Sequence, residues 1–212
     1  VTEPADRTIT IVTGSTRSGT SLVMRLLDHA GLPPLCDAGS RGTSYELDDA
    51  ARHHEGHWSF LDRAAGRAVK VPDWGVWSEP RELPHMRFVV MTRDPEEQAR
   101  SQIKFMRWQG FNVRPGKATV RELAAPLRKD VPRIVERARG SGAPVLELPF
   151  ERLLTEPETS IAALLALCSL ETSRAPALAR LVVPRWPSCY PTMLEEHLWR
   201  AGQGAPASEA RA

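Results

Sequence analysis

Apolar positions along this 212-residue chain recur at two spacings that take turns from segment to segment. Thr8-Ile9-Thr10-Ile11-Val12-Thr13 is a β-branched run and predicts a strand, whereas Leu22, Val23, Leu26, Leu27 and Ala30 repeat at helical spacing. Gly31 predicts a left-handed cap ending that helix, with Pro33 and Pro34 beyond it. The stretch from Leu35 to Leu61 is polar and irregular and predicts loop with a short helix near a candidate site. Arg67-Ala68-Val69-Lys70-Val71 predicts a short buried strand stopped by Pro72-Asp73. Met86 to Thr92 predicts a longer one, nearly continuous in apolar residues as a central parallel strand covered on both faces is.

Asp94 as N-cap, Pro95 in the first turn and Glu96-Glu97 facing the dipole predict a helix to about Gly110. A second helical segment opens at Thr119 and ends near Gly140, with Pro126 and Pro132 expected to kink or divide it. Pro144 to Leu148 returns as a strand. Thr155-Glu156-Pro157-Glu158 has the form of a capping box ahead of the stripe Ile161, Leu164, Leu165 and Cys168, and a last short helix is expected over 175–182. Strands alternating with helices predict an α/β chain: a central parallel β-sheet flanked by helices in three layers, joined by right-handed crossovers.

Chemistry enters between the first strand and the first helix. Gly14-Ser15-Thr16-Arg17-Ser18-Gly19-Thr20-Ser21 spaces its glycines like a phosphate-binding loop, but Thr20 stands where nucleotide triphosphatases place a lysine. Two spaced glycines alone would only turn a strand into a helix. The flanking strand and helix, and Arg17 as cation, favour anion binding at the helix N-terminus, on Thr20 and Ser21. A second candidate anion site is Arg93 with Ser101. The strand ending at Thr92 delivers Arg93 to the carboxyl edge of the sheet, where open α/β folds bind ligands, and Ser101 lies on the next helix. An arginine fork and a hydroxyl suit a phosphate monoester, although pairing of Arg93 with Asp94 or Glu97 is the simpler use of that arginine.

Together, the glycine loop, Arg93-Asp94-Pro95 and Ser101 resemble the two signature regions of sulfotransferases that use 3′-phosphoadenosine 5′-phosphosulfate (PAPS). The resemblance runs from about Ile9 to Leu170, with Tyr45-Glu46, Val69-Lys70-Val71-Pro72 and Leu148-Pro149-Phe150-Glu151-Arg152-Leu153-Leu154 as weaker landmarks. It is strongest to small bacterial members, and it implies a P-loop-type nucleotide-binding fold. It further implies that Arg17, Ser18, Gly19, Thr20 and Ser21 grip the 5′-phosphosulfate of PAPS and that Arg93 and Ser101 grip its 3′-phosphate, with PAP as product and no metal required. Lys70 takes the place of the family lysine that meets the sulfuryl or bridging oxygen, and Arg17 is expected to neutralise the 5′-phosphate and leaving oxygen. Family members take the acceptor proton on a histidine just after that lysine or on a glutamate in the segment after the first helix. Pro72 occupies the histidine position here, so Glu46 is the candidate base, with His53 and His54 next.

Other readings stay open on the residues alone. A P-loop kinase using ATP and Mg²⁺ would hold the metal on Ser21 and Asp94, and a non-catalytic nucleotide-binding protein would need no base. His53, His54 and His57 lack the order and the fourth ligand of a metal site. Trp74 and Trp77, close behind Lys70, are candidates for acceptor contact, and 184–190 for covering the adenosine. A net charge of +2 with 25% charged residues argues against nucleic acid as a partner. The acceptor expected is a small molecule, whether carbohydrate, lipid or another natural product. Cys36, Cys168 and Cys189 form no metal or disulfide pattern, and no apolar run is long enough to span a bilayer, so a cytoplasmic protein is expected. The chain is read as a single domain over 1–212 with flexible tails at 1–7 and about 202–212, and nothing in it sets an oligomeric state.

Overall fold

The computed structural model describes residues 7–75 and 85–183. Strand β1 (Ile9–Thr13) leads into helix α1 (Thr20–Ala30), followed by β2 (Pro34–Leu35), the single turn α2 (Asp48–Ala51), β3 (Ala68–Lys70) and β4 (Met86–Thr92). Helices α3 (Pro95–Trp108) and α4 (Lys117–Gly140) precede β5 (Val145–Pro149), and α5 (Phe150–Thr155), α6 (Pro157–Leu167) and α7 (Ala175–Ala179) complete the order. The sheet is five-stranded in the order β2-β3-β1-β4-β5, and every pairing is parallel. This is the predicted α/β architecture. From β1 the chain goes out to the edge strand β2, returns to β3 beside β1, and then crosses to β4 and β5 on the other side. Such a reversal leaves a crevice at the carboxyl end of the central strand. The loop 14–19 emerges there.

The period of two along each strand explains the two-sided core. In one direction Val12, Val89 and Met91 meet Val23, Leu26 and Leu27 of α1 and Ile161, Leu164 and Leu165 of α6. In the other, Ile9, Ile11, Phe88 and Val90 meet Phe60, Trp74, Ile134 and Val135. A smaller cluster of Ala99, Ile103, Val120 and Ala124 joins α3 to α4.

Several elements differ from expectation. Helix α4 runs unbroken through Pro126 and Pro132. Both prolines are exposed, as are Glu122 and Arg128 four residues before them, so water meets the carbonyls that proline leaves without an N–H. The buried stripe Val120, Ala124, Leu127, Ile134, Val135 and Ala138 keeps the helix together. The expected capping box does not form: Thr155 ends α5 with its hydroxyl donating to the Glu151 carbonyl, and Glu156 precedes α6 without a side-chain cap. Helix α7 stops at Ala179. Segment 35–61 holds more structure than predicted, with a strand residue at Leu35, α2, and 3₁₀ turns at Ala38–Ser40, His53–Glu55 and Ser59–Arg63.

Trp74 is a core residue and not an acceptor-facing one. It is 1% exposed, edge-on to Trp58 and Phe88 with ring centroids 4.9 and 5.0 Å away. Trp77, Cys189, segment 184–190, residues 1–6 and the 202–212 tail lie outside the described residues. Among the described residues Cys36 and Cys168 are not joined in a disulfide, and no described helix is long and apolar enough to cross a membrane.

Candidate functional site

The loop after β1 is shaped by its two glycines. Gly14 has φ 142°, and a Cβ there would lie 2.4 Å from the Met91 carbonyl oxygen and 2.6 Å from Ser18 Oγ. Gly19 has φ 108°, and its Cβ would fall 2.5 Å from the Phe150 ring. Close approach to β4 and α5 therefore demands glycine at both ends. Between them the Ser18 N–H donates to Ser15 O at 3.0 Å, and Arg17 takes a left-handed φ of 71°. The side-chain amides of Gln98 and Gln102 donate to the Thr16 carbonyl at 2.8 and 3.2 Å, tying the loop to α3.

Among the described residues no side chain caps α1, whose N-cap is Gly19, and the Ser18 hydroxyl beside it is fully buried without a hydrogen-bond partner. An uncapped helix start next to an unsatisfied hydroxyl fits an anion, which would accept from both. The two arginines converge on the same place. Arg17 Nε donates to Ser101 Oγ at 3.3 Å, and its guanidinium lies 5.0 Å over the Phe105 ring. Arg93 is 7% exposed, donates to the Arg17 carbonyl at 3.3 Å, sits 4.3 Å over the Phe150 ring and approaches Glu97 at 4.0 Å. The pairing with Glu97 anticipated for Arg93 is thus present alongside its approach to the loop. Asp94 is used otherwise: its Oδ1 accepts from the Glu96 and Glu97 N–H groups as the N-cap of α3.

Lys70, the last residue of β3, occupies the opposite flank. Its Nζ donates to the Ser44 carbonyl at 2.6 Å and to Ser21 Oγ at 3.3 Å, and it forms an ion pair with Glu46. Ser21 Oγ itself donates to the Ser44 carbonyl at 3.1 Å. Ser21 thereby links the helix start to the Lys70–Glu46 pair. Glu46 is presented by a closed loop: its carbonyl accepts from the Asp37 N–H at 2.9 Å and from Ser40 Oγ at 2.7 Å. The buried Tyr45, at φ 55°, donates its hydroxyl to Asp28 on α1, which Arg41 grips with two hydrogen bonds. The Arg41 bond is the main reason that the Asp28 carboxyl is held below its ordinary range.

All the residues singled out from the sequence for the donor and for transfer therefore cluster around one crevice, Arg17, Arg93 and Ser101 on one flank and Glu46 and Lys70 on the other. The histidines are elsewhere, His53 and His54 in the 3₁₀ turn after α2 and His57 just beyond it. His53 is buried, with Nδ1 2.8 Å from the Ala50 carbonyl and its ring against Trp58 at 5.4 Å. His54 and His57 are exposed and lie 3.7 and 3.5 Å from Glu55. Among the described residues no group of three His, Cys, Asp or Glu side chains is placed to hold a metal ion.

Sequence reasoning missed Ser44, Gln98, Gln102, Phe150 and Asp73. Asp73 Oδ1 accepts from Ser15 Oγ at 2.8 Å, and burial pushes its carboxyl above the ordinary range. The only available signal was its place three residues after Lys70, which acquires meaning once β3 is known to lie beside β1.

Residues 80–174, from just before β4 to the turn before α7, match the family model described as the sulfotransferase family. Retinol dehydratase in complex with androsterone and the inactive cofactor PAP superposes with a TM-score of 0.56 at 18% identity, covering 84% of this chain and 65% of that one. Retinol dehydratase with retinol and PAP gives 0.55 at 16% identity with the same coverages. The chain has a sulfotransferase-type fold. The matched segment of this sulfotransferase-like chain contains Arg93 and Ser101 and does not include the glycine loop. The chain spans 65% of the length of the two retinol dehydratase structures. A sulfotransferase domain from the curacin biosynthetic pathway aligns over 95% of this chain and 99% of its own at 12% identity and a TM-score of 0.43. Comparison with curated proteins yields no match.

Proposed function

We propose that this chain is a sulfotransferase, a single domain that transfers a sulfuryl group from PAPS to a hydroxyl or amine acceptor. The observation that carries the reading is the meeting of Arg17, Arg93 and Ser101 at an uncapped helix start, with Lys70 and Glu46 across Ser21 from them. Ser18, buried and unsatisfied, supports an anionic occupant there. In this reading Arg93 and Ser101 hold the 3′-phosphate, giving up their bonds to the Arg17 carbonyl and Arg17 Nε. Arg17, Ser18, Gly19, Thr20 and Ser21 hold the 5′-phosphate. PAP in both retinol dehydratase structures supports that choice of nucleotide.

When bound, the donor supplies an activated sulfuryl group. The chain's own residues supply position and charge. Lys70 stands next to Ser21 and offers its ammonium to the leaving oxygen, with Arg17 neutralising the phosphate behind it. Glu46 turns from Lys70 to the acceptor and takes its proton as the new bond to sulfur forms and the bond to the bridging oxygen breaks. Fixed cations at Arg17, Lys70 and Arg93 meet the charge that a magnesium ion meets in triphosphatases, so no metal is invoked. The retinol and androsterone of the retinol dehydratase structures favour a small alcohol as acceptor.

Thermal unfolding with added ligand tests the reading, because a ligand that binds only the native state raises its stability. At a concentration of about 100 Kd, PAP is expected to add about 2.7 kcal/mol, or roughly 5–10 °C in Tm for a chain of this size. Stabilisation by ATP with Mg²⁺ and none by PAP would overturn it in favour of a kinase.

A further inference from the structure

Asp73 has no part in the transfer chemistry above, yet the fold seats it at the root of the anion loop. Pairing of β3 with β1 carries the segment after Lys70 across the end of β1. The Val71 N–H donates to the Val12 carbonyl at 3.0 Å, the Asp73 N–H to the Gly14 carbonyl at 3.3 Å and the Trp74 N–H to Thr13 Oγ1 at 3.2 Å. Asp73 adopts a left-handed φ of 53°, which aspartate tolerates better than most residues with a Cβ. In that conformation its Oδ1 accepts from Ser15 Oγ at 2.8 Å, and Ser15 is itself buried in the loop. The following residue, Trp74, is locked in the core. Carboxylate and loop therefore move as one piece.

A carboxylate beneath a loop built for an anion is an electrostatic conflict. Burial already raises the Asp73 pKa, its bond from Ser15 opposes that, the Asp130 carboxylate on α4 adds to it and the His53 imidazole works against it. A phosphate arriving on the far side of Ser15 adds negative charge and disfavours the ionised form further. We propose that Asp73 is a positioning residue of the anion loop that takes up a proton when a phosphorylated donor binds. The inference rests on the donor site described under the proposed function. The proton comes from solvent and returns to it when the nucleotide leaves. Protonated Asp73 still accepts from Ser15 through its carbonyl oxygen, so the loop keeps its anchor while the repulsion is removed.

The sign follows from linkage. Because the bound anion raises the proton affinity of Asp73, nucleotide affinity is highest where Asp73 is protonated in both free and bound chains. Affinity falls as pH rises through the interval between the two pKa values, and the effect stops growing above both.

The test uses PAP titrated calorimetrically into the whole chain, in buffers of different ionisation enthalpy, from about pH 5 to about pH 8. The wild type is expected to take up more protons per PAP bound than Asp73→Asn, whose amide still accepts from Ser15. The affinity of the wild type relative to that variant is expected to fall with rising pH, by at most about tenfold per pH unit for one linked proton. Titration of the PAP phosphates is common to both proteins and cancels in the ratio. Ser15→Ala removes a bond that favours the carboxylate, so the interval of proton uptake is expected to move to higher pH. Equal uptake in the wild type and Asp73→Asn overturns the inference, as does an uptake interval unmoved in Ser15→Ala should the asparagine variant fail to fold. Absence of PAP binding at every pH overturns the proposed function and this inference with it, whereas binding without the difference overturns only the inference.

Discussion

Replacing Gly14 with alanine sets the backbone of the glycine loop against the central sheet. The new Cβ would lie 2.4 Å from the Met91 carbonyl oxygen, 2.6 Å from Ser18 Oγ and 3.2 Å from Met91 Cβ, at a φ of 142°. Ser18 Oγ can turn away, but the Met91 carbonyl belongs to β4, which pairs with β1 on one side and β5 on the other. Relief of the contact therefore requires moving a strand or the loop. The unfavourable φ costs about 1–2 kcal/mol, and forced displacement of a packed interior about 1–3 kcal/mol more. The sum, about 2–5 kcal/mol, corresponds to a fall in Tm of roughly 4–20 °C for a chain of this length. Gly39→Ala is the control. Gly39 has no atom within 4 Å of its would-be Cβ, so its replacement is expected to stay within about 0.5 kcal/mol of the wild type. Thermal unfolding followed by circular dichroism measures both. Equal Tm values for the two variants, within about 2 °C, would refute the claim that close approach to β4 dictates glycine at the loop entrance.

Arg93→Ala is expected to remove the preference for a 3′-phosphate over a 3′-hydroxyl nucleotide, weakening PAP by about 1.5–3 kcal/mol, which competitive binding of the two nucleotides measures. Glu46→Gln is expected to retain PAP binding and to lower sulfuryl transfer by about 10²–10⁴-fold, read as PAP released from PAPS across a panel of alcohols and amines. Unchanged turnover on an accepted alcohol would remove Glu46 as base. Arg41→Ala is expected to move acid unfolding to higher pH. Asp28 has a depressed folded-state pKa, so it contributes stability above its unfolded pKa that is lost as pH falls through the folded one, and without Arg41 that loss begins earlier. The shift should be small, since the Arg41 side chain is 62% exposed and solvent screens the pair. A pH titration of ellipticity checks it.

What was legible in the sequence came from local periods. The β-branched run 8–13, the helical stripe from Leu22 to Ala30 and the apolar run 86–92 each state their own secondary structure, and their alternation states a parallel sheet. Arg17 and Arg93 were legible because each follows a strand end, where ligand-binding residues of such sheets lie. The failures are physical too. Pro126 and Pro132 were expected to break α4 because the loss of an N–H was weighed without knowing that both face water. Trp74 was placed at the acceptor by its distance along the chain from Lys70, while the fold turns its ring into the core between Trp58 and Phe88. The capping box failed because Thr155 was already spent on closing the preceding helix.

By itself, then, the chain's pattern determines the elements, the glycine loop with its missing lysine, and the arginine and serine that answer it. Only the tertiary structure decides which of these meet. Lys70 reaches Glu46 across 24 positions, Asp73 reaches Ser15 across 58 and Arg17 reaches Ser101 across 84. Those separations are bridged by the strand order β2-β3-β1-β4-β5, which sets β3 and β4 on either side of β1. No local period encodes that order, because it is chosen by how the buried faces of the strands and helices fill one another after each element has formed.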